Sequence, residues 1–208
     1  MVKISAILLG AGESKRMGLD KLMLPWGKKT LLEHCLVTLL KSKVREVIIV
    51  LGLRSREKEY QLEKRFPLTG KKIKMVINPD YRRGMSTSIR RGIQAMDPRS
   101  HGILIALGDQ PFLKTRTINA LIQAFSERKG DIIVPSFCGR RGHPVIFDCK
   151  YKEKLLRLKG DVGGRSVIQK YSNSVIEIRV RSEGVVKDID TREDYQKLKE
   201  TKGRRIFR

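Results

Sequence analysis

Ile4-Ser5-Ala6-Ile7-Leu8-Leu9, followed by Gly10-Ala11-Gly12-Glu13-Ser14-Lys15-Arg16-Met17-Gly18-Leu19-Asp20-Lys21, is the stretch on which the fold turns. Its opening run is apolar, interrupted only by Ser5 and Ala6, as in a strand buried on both faces of a parallel sheet. The polar, glycine-rich continuation is a loop whose backbone amides can approach a phosphate or a base closely.

Outward from this stretch the chain alternates short apolar runs with amphipathic segments. Thr30-Leu31-Leu32-Glu33 opens a helix with capping-box spacing, and Leu32, Leu36, Leu39 and Leu40 give it an apolar face. Further strands are predicted over Val44–Leu51, Ile73–Ile77, Ile103–Leu107, Ile132–Val134 and Val175–Val180. Helices are predicted over Ser55–Phe66, closed by Pro67, and over Ser86–Met96, Thr115–Glu127 and Thr191–Lys199. Strands and helices alternating at this interval specify a mainly parallel sheet covered on both faces. The expected architecture is a single α/β domain, a Rossmann-like three-layer sandwich with a mainly parallel mixed sheet. After Pro135 the rhythm changes and glycines punctuate shorter pieces. The domain is expected over residues 1–200, with 201–208 as a basic tail that frays.

At 208 residues, with 40% hydrophobic and 32% charged residues, the chain has the material for one core. No stretch approaches the ~18 apolar residues of a membrane span. The N-terminal run lacks the cleavage site of a signal peptide, so a cytoplasmic protein is expected. Cys35, Cys138 and Cys149 are odd in number and lack CxxC spacing, which argues against a disulfide framework or a structural zinc. The net charge of +23 attracts anions. That charge is spread along the chain and aromatics are only 6%, a poor basis for base-stacking platforms, so a dedicated nucleic-acid face is disfavoured.

Two known phosphate loops can be tested against Gly10–Lys21. The dinucleotide fingerprint wants a third glycine where Lys15 stands and an acid at the end of the second strand, which instead reads Val50-Leu51-Gly52. The P-loop wants Gly-Lys-Ser/Thr at a spacing that neither Gly10 nor Gly12 supplies. What the loop does carry is cations, Arg16 and Lys21 among them, as a triphosphate requires.

Further motifs follow in order. Asn78-Pro79-Asp80-Tyr81-Arg82-Arg83-Gly84-Met85-Ser86-Thr87-Ser88 comes after the third strand, and Gly108-Asp109-Gln110-Pro111-Phe112 after the fourth. Then come Gly142-His143-Pro144-Val145-Ile146-Phe147, Gly160-Asp161-Val162-Gly163-Gly164-Arg165 and Asp188-Ile189-Asp190-Thr191-Arg192-Glu193-Asp194-Tyr195. Together with Gly10–Lys21, this set resembles the nucleotidyltransferases that charge sugars, cofactors and lipids with nucleoside monophosphates. Within them it is most similar to the molybdenum cofactor cytidylyltransferase family, from Ile4 to about Tyr195.

The resemblance implies transfer of CMP from CTP to the terminal phosphate of a molybdopterin-type substrate, with Mg2+ as cofactor and release of pyrophosphate. Arg16 and Lys21 are expected to hold the triphosphate. Leu9, Gly10, Ala11 and Gly12, with Asn78, Gly84 and Ser86, are expected to bind the nucleotide, although Ser86 or Ser88 can equally cap the helix that begins there. In the related guanylyltransferases a glycine is typical where Ala11 stands, so the resemblance points to cytosine. His143, Gly163 and Arg165 are expected to face the acceptor, the last two near a helix N-terminus that favours phosphate.

Asp109 stands at the carboxyl end of a central strand, where open α/β sheets bind ligands, and is the first expected metal ligand. Asp188 and Asp190 point the same way on an extended segment, so periodicity leaves both open. Position and resemblance assign the metal to Asp190, with Asp188 in support, while a mere helix-capping role for Asp190 remains the plain alternative. A molybdoenzyme or its maturation factor is an implied partner. The alternatives are the same transfer with GTP or another NTP and another phosphorylated acceptor, and a basic nucleic-acid-binding protein. An oxidoreductase of this fold is disfavoured by the missing acid after the second strand.

Overall fold

The computed structural model describes residues 2–14, 17–53, 56–66, 72–127 and 131–206, the last stretch as backbone alone from residue 200. In chain order the elements begin with β1 (Ile4–Gly10), a small hairpin of β2 (Pro25–Trp26) and β3 (Lys29–Thr30), α1 (Leu31–Leu40), β4 (Glu46–Gly52) and α2 (Arg56–Arg65). There follow β5 (Ile73–Asn78), α3 (Met85–Ala95), β6 (Gly102–Leu107), α4 (Thr115–Ser126), β7 (Ile132–Phe137), β8 (Arg140–Arg141) and β9 (Val145–Asp148). The chain closes with α5 (Lys152–Leu156), α6 (Arg165–Lys170), β10 (Val175–Arg179) and α7 (Arg192–Ile206).

β1 lies at the middle of the sheet, whose order is β10-β7-β9-β6-β1-β4-β5, with β8 hydrogen-bonded to β7. It pairs in parallel with β4 and β6, and its side chains alternate between two cores. Ile4, Ala6 and Leu8 enter one core, and Ile7 and Leu9 the other. The largely apolar run follows from this, because a strand covered on both faces has no polar side to display. The first core is closed by α1 and α4, with Leu32, Leu36 and Leu39 from α1 and Ile118 and Leu121 from α4. The second is closed by α3, α5 and α6 through Ile89, Ile93, Leu155 and Val167. Each such buried aliphatic side chain contributes about 1.5–3 kcal/mol. This is the three-layer α/β sandwich with a mostly parallel sheet that the alternation implies.

Thr30 closes the expected capping box: its hydroxyl accepts from Glu33 N at 3.2 Å, and its own N–H donates to Glu33 Oε2 at 2.7 Å. On α3, Gly92 presses on β1; a Cβ there would sit 2.5 Å from Ile7 Cγ2, so glycine sets the helix-to-sheet distance.

Three features differ from the expectation. Val145–Asp148, assigned no element from the sequence, is a strand running antiparallel between β6 and β7, with Ile103 opposite Phe147 and Ile133 opposite Ile146. So short a run carries too little periodicity to announce itself, and its neighbours on both sides hold it. β7 runs through Pro135 to Phe137 rather than stopping at Val134, because β10 pairs with it over that length. α7 runs from Arg192 to Ile206, past the expected end at Lys199, with no proline to stop it. Among the described residues no helix is long and apolar enough to cross a membrane.

Candidate active site

The loops after β1, β5 and β6 leave the same edge of the sheet, the carboxyl ends of parallel strands. They enclose a cavity of about 560 Å³ lined by Leu9, Ala11, Gly12, Lys21, Gly84, Asp109 and Asp190, among others.

Lys21 starts a short 3-10 turn capped by the Asp20 carboxylate, which accepts from Leu22 N at 3.2 Å. Buried Leu22 anchors the turn, and Lys21 N donates to Ser14 Oγ at 3.1 Å across the loop. The Lys21 side chain then reaches the sheet edge, where its Nζ donates to Asp109 Oδ2 at 2.7 Å and to Asp190 Oδ1 at 2.8 Å. Burial works against the Lys21 charge, but the two carboxylates outweigh it and hold the ammonium above its ordinary value.

Two backbone bonds bring the acids together: Gly108 N donates to Leu9 O at 3.0 Å, and Ile189 N to Asp109 O at 3.0 Å. Ile189 is fully buried in a small core with Trp26 and Leu31, flanked by Phe112 and Tyr195. It pins the Asp188–Asp190 segment from behind. Capping of α7 falls to Thr191, whose hydroxyl accepts from Asp194 N at 3.1 Å while Asp194 Oδ2 accepts from Thr191 N at 3.0 Å. The Asp190 carboxylate is therefore not the helix cap, and it faces Lys21 and the cavity. Asp188 turns away from that cavity to accept from Gln110 Nε2 at 2.6 Å. Burial raises its carboxyl above the ordinary value, reinforced by Asp109 and Asp190 and opposed by Gln110 and His143.

The residues present fit a divalent cation. Asp109 Oδ1 is buried and has no hydrogen-bond partner among the described residues, an arrangement that costs stability unless a cation or donor meets it. Asp190 supplies a second hard oxygen, and the Lys21 ammonium already places a positive charge between the two acids. Among the described residues no group of three or more His, Cys, Asp or Glu side chains gathers as a metal site, so the remaining ligands would be substrate oxygens and water.

The other expected residues divide. Leu9, Ala11, Gly12 and Gly84 line the cavity; Gly10 lies beneath it, against Leu51 and Leu32. Asn78 and Ser86 are buried and do not line it. Asn78 Nδ2 donates to Thr87 Oγ1 at 2.8 Å and Ser88 Oγ at 2.9 Å, which makes it a brace for the start of α3, and Ser88 takes the place on the wall expected of Ser86. Arg16 lies outside the described residues.

His143, Gly142, Gly164 and Arg165 meet instead at a second cavity of about 590 Å³, floored by Ile105, Val134 and Phe147. Gly163 packs behind it, where an added Cβ would lie 3.1 Å from Met85 Sδ. Burial pushes the His143 imidazole below its ordinary value, against the pull of Asp188 and Asp109.

The sequence reading missed Asp161, Arg82 and Glu13. Asp161 Oδ1 accepts from Met85 N at 3.0 Å and the residue lines the first cavity, so the Gly160–Arg165 loop forms the wall between the two. Gly84, at φ 107°, would place a Cβ 2.4 Å from Gly160 C, so only glycine admits that wall. Arg82 Nε donates to Glu13 Oε1 at 2.7 Å across the cavity mouth. The acid and glycine in Gly160-Asp161 were visible, but their partner lies far away in sequence, and no local pattern reports it.

A lysine between two carboxylates, beneath a glycine loop at the carboxyl edge of a parallel sheet, is an arrangement suited to a phosphorylated nucleotide and its counter-charges. The chain belongs to the MobA-like NTP transferase domain family, whose model matches residues 6–175, and it is a nucleotidyltransferase of that family. Asp190 lies beyond the matched residues. The chain is 31% identical to the nicotine blue oxidoreductase of Paenarthrobacter nicotinovorans, over 94% of this chain and 96% of that one. It is 29% identical to the molybdenum cofactor cytidylyltransferase of Escherichia coli, over 96% of this chain and 97% of that one. Among solved structures, the Rv0371c protein of Mycobacterium tuberculosis H37Rv superposes with a TM-score of 0.78 at 28% identity, covering 96% of this chain and 98% of that one. The manganese complex of that protein superposes at 0.75 with 26% identity, covering 96% and 99%.

Proposed function

We propose that this chain transfers CMP from CTP to a phosphorylated molybdopterin-type acceptor. An oxygen of the acceptor's terminal phosphate attacks the α-phosphorus, the bond to the β-phosphate oxygen breaks, and pyrophosphate leaves with that electron pair. The observation that carries the reading is Lys21 Nζ held between Asp109 and Asp190 in the cavity under the glycine loop. Asp109 and Asp190 would hold Mg2+, which neutralises charge on the transferring phosphates. Lys21 meets the charge that develops on the departing pyrophosphate, as Arg16 does in the same reading. Leu9, Ala11, Gly12 and Gly84 form the nucleotide wall, and the Ala11 methyl narrows it in favour of a pyrimidine.

The second cavity is the acceptor's place in this reading. Its apolar floor suits a flat ring system, and Arg141 and Arg165 at its lining suit an anionic group. His143 sits there as a neutral donor or acceptor at neutral pH, since burial disfavours its charged form. The likeness to the Escherichia coli cytidylyltransferase over nearly the whole chain supports this choice of acceptor.

Pyrophosphate release, measured with each of the four NTPs in Mg2+ with and without molybdopterin, tests the reading. Release with CTP that depends on the acceptor is expected. Release that favours GTP overturns the base, and no release with any NTP overturns the transfer.

A further inference from the structure

α2 is a strongly polar helix, and its inward face is made by Lys58 and Leu62, one turn apart. Leu62 packs into the core under α1. Lys58 is only 3% exposed, an uncommon place for a lysine, because a buried ammonium is costly unless partners replace its water. Filling space alone would be better served by a second apolar side chain beside Leu62.

The partners are specific. Lys58 Nζ donates to Gly10 O at 3.1 Å and pairs with Asp20 Oδ2 at 2.8 Å. Gly10 is the last residue of β1, where the glycine loop begins. Asp20 is the cap of the turn that carries Lys21, where the loop ends. One buried cation thus bridges the two ends of the loop that walls the nucleotide cavity. The other Asp20 oxygen accepts from Leu22 N, so the charge of Lys58 also orients the cap that directs Lys21 toward Asp109 and Asp190.

We propose that Lys58 is the positioning residue of the nucleotide loop, clamping its two ends through Gly10 O and Asp20 so that Lys21 projects to the acid pair. Its effect on nucleotide affinity rests on the nucleotide-binding reading above; its effect on the loop does not. Lys58 lies outside the cavity lining and acts through the loop rather than on the substrate.

Hydrogen–deuterium exchange of the nucleotide-free protein reads the clamp directly. Lys58→Met is expected to speed exchange at the Lys21 and Leu22 amides about tenfold, the scale of a lost charge-assisted hydrogen bond, while α1 amides keep their protection. Calorimetric titration with CTP in Mg2+ is expected to show affinity about tenfold weaker, and Lys58→Arg is expected to restore both readouts to within about threefold. Asp20→Asn keeps the cap oxygen but removes the charge at an exposed position, so it serves if Lys58→Met does not fold. It is expected to loosen the same amides, and the double variant to loosen them no further than Lys58→Met alone. Wild-type loop exchange in folded Lys58→Met, or in Asp20→Asn, overturns the clamp. A wild-type protein that binds no NTP while its loop responds as described overturns the nucleotide reading and leaves the clamp standing.

Discussion

Lys21→Met separates the two tasks that the geometry gives this lysine. In the nucleotide-free protein its ammonium sits 2.7 Å from Asp109 and 2.8 Å from Asp190, in the place between the acids that a divalent cation would share. A single ion pair with charge centres about 4 Å apart, at an effective dielectric of about 20, attracts by roughly 4 kcal/mol before desolvation is counted. The side chains are 13%, 20% and 34% exposed for Lys21, Asp109 and Asp190, so solvent screens much of this. A net ~1–3 kcal/mol for the pair of contacts follows. A metal entering the wild-type site must displace that interaction, whereas in Lys21→Met the lysine charge no longer competes with it for the two carboxylates. Mn2+ affinity of the nucleotide-free variant, read by electron paramagnetic resonance of the free ion, is therefore expected to rise roughly tenfold. In the same variant kcat/KM for pyrophosphate release is expected to fall roughly 10²-fold, because one of the cations that meet the developing charge is gone. Binding and turnover thus move in opposite directions, which simple misfolding does not produce. Folded Lys21→Met with unchanged or weaker Mn2+ affinity refutes the idea that lysine and metal compete for these two acids.

Asp190→Asn is expected to abolish turnover at ordinary Mg2+ and weaken Mn2+ binding by tenfold or more, since one of two protein ligands is lost. Asp188→Asn, whose Gln110 contact an amide oxygen can keep, is expected to retain Mn2+ affinity; the reverse pattern in a metal titration would exchange their roles. Ala11→Gly is expected to shift preference from CTP toward GTP by ~1–3 kcal/mol, seen as the difference in thermal stabilisation by the two nucleotides, and an unchanged difference removes Ala11 from base selection. Glu46 is buried, which alone would raise its carboxyl, but Asp97 N–H, Lys74 and Ser5 outweigh burial and hold it below the ordinary 4.5. A depressed carboxyl contributes stability that is present above 4.5 and is lost as pH falls through the lower folded value. Urea unfolding of Glu46→Gln is expected to show lower stability at neutral pH and a flatter loss across that acid window, and an unchanged acid profile contradicts the assignment.

Much of the framework was legible because it is local. β1 and β4 announce themselves as largely apolar runs, polar only at Ser5 and Glu46, since a strand between two helical layers must be apolar on both faces. The Thr30 capping box is readable because its partners are three residues apart. The motif order identified the family, and with it Lys21, Asp109 and Asp190 as candidates for one site. Sequence alone left Asp188 and Asp190 equivalent in periodicity, and it left Asp190 as a possible cap; the distance to Lys21 and the capping by Thr191 separate them.

Other features depend on contacts between residues far apart in the chain. The antiparallel strand Val145–Asp148 exists because β6 and β7 hold it on either side. Asp161 belongs to the first cavity because its loop packs on Gly84 and Met85. Asn78 and Ser86 look like ligands in sequence, but the start of α3 turns both into the interior. Lys58 looks like one more solvated charge on a polar helix until the fold lays that helix over the ends of the glycine loop. The sequence determined the layers and the family because periodicity and motif order are properties of neighbouring residues. Which polar group faces the cavity and which clamps its loop were decided by tertiary structure, because each depends on a partner tens of residues away, brought within hydrogen-bond reach only when the sheet closes.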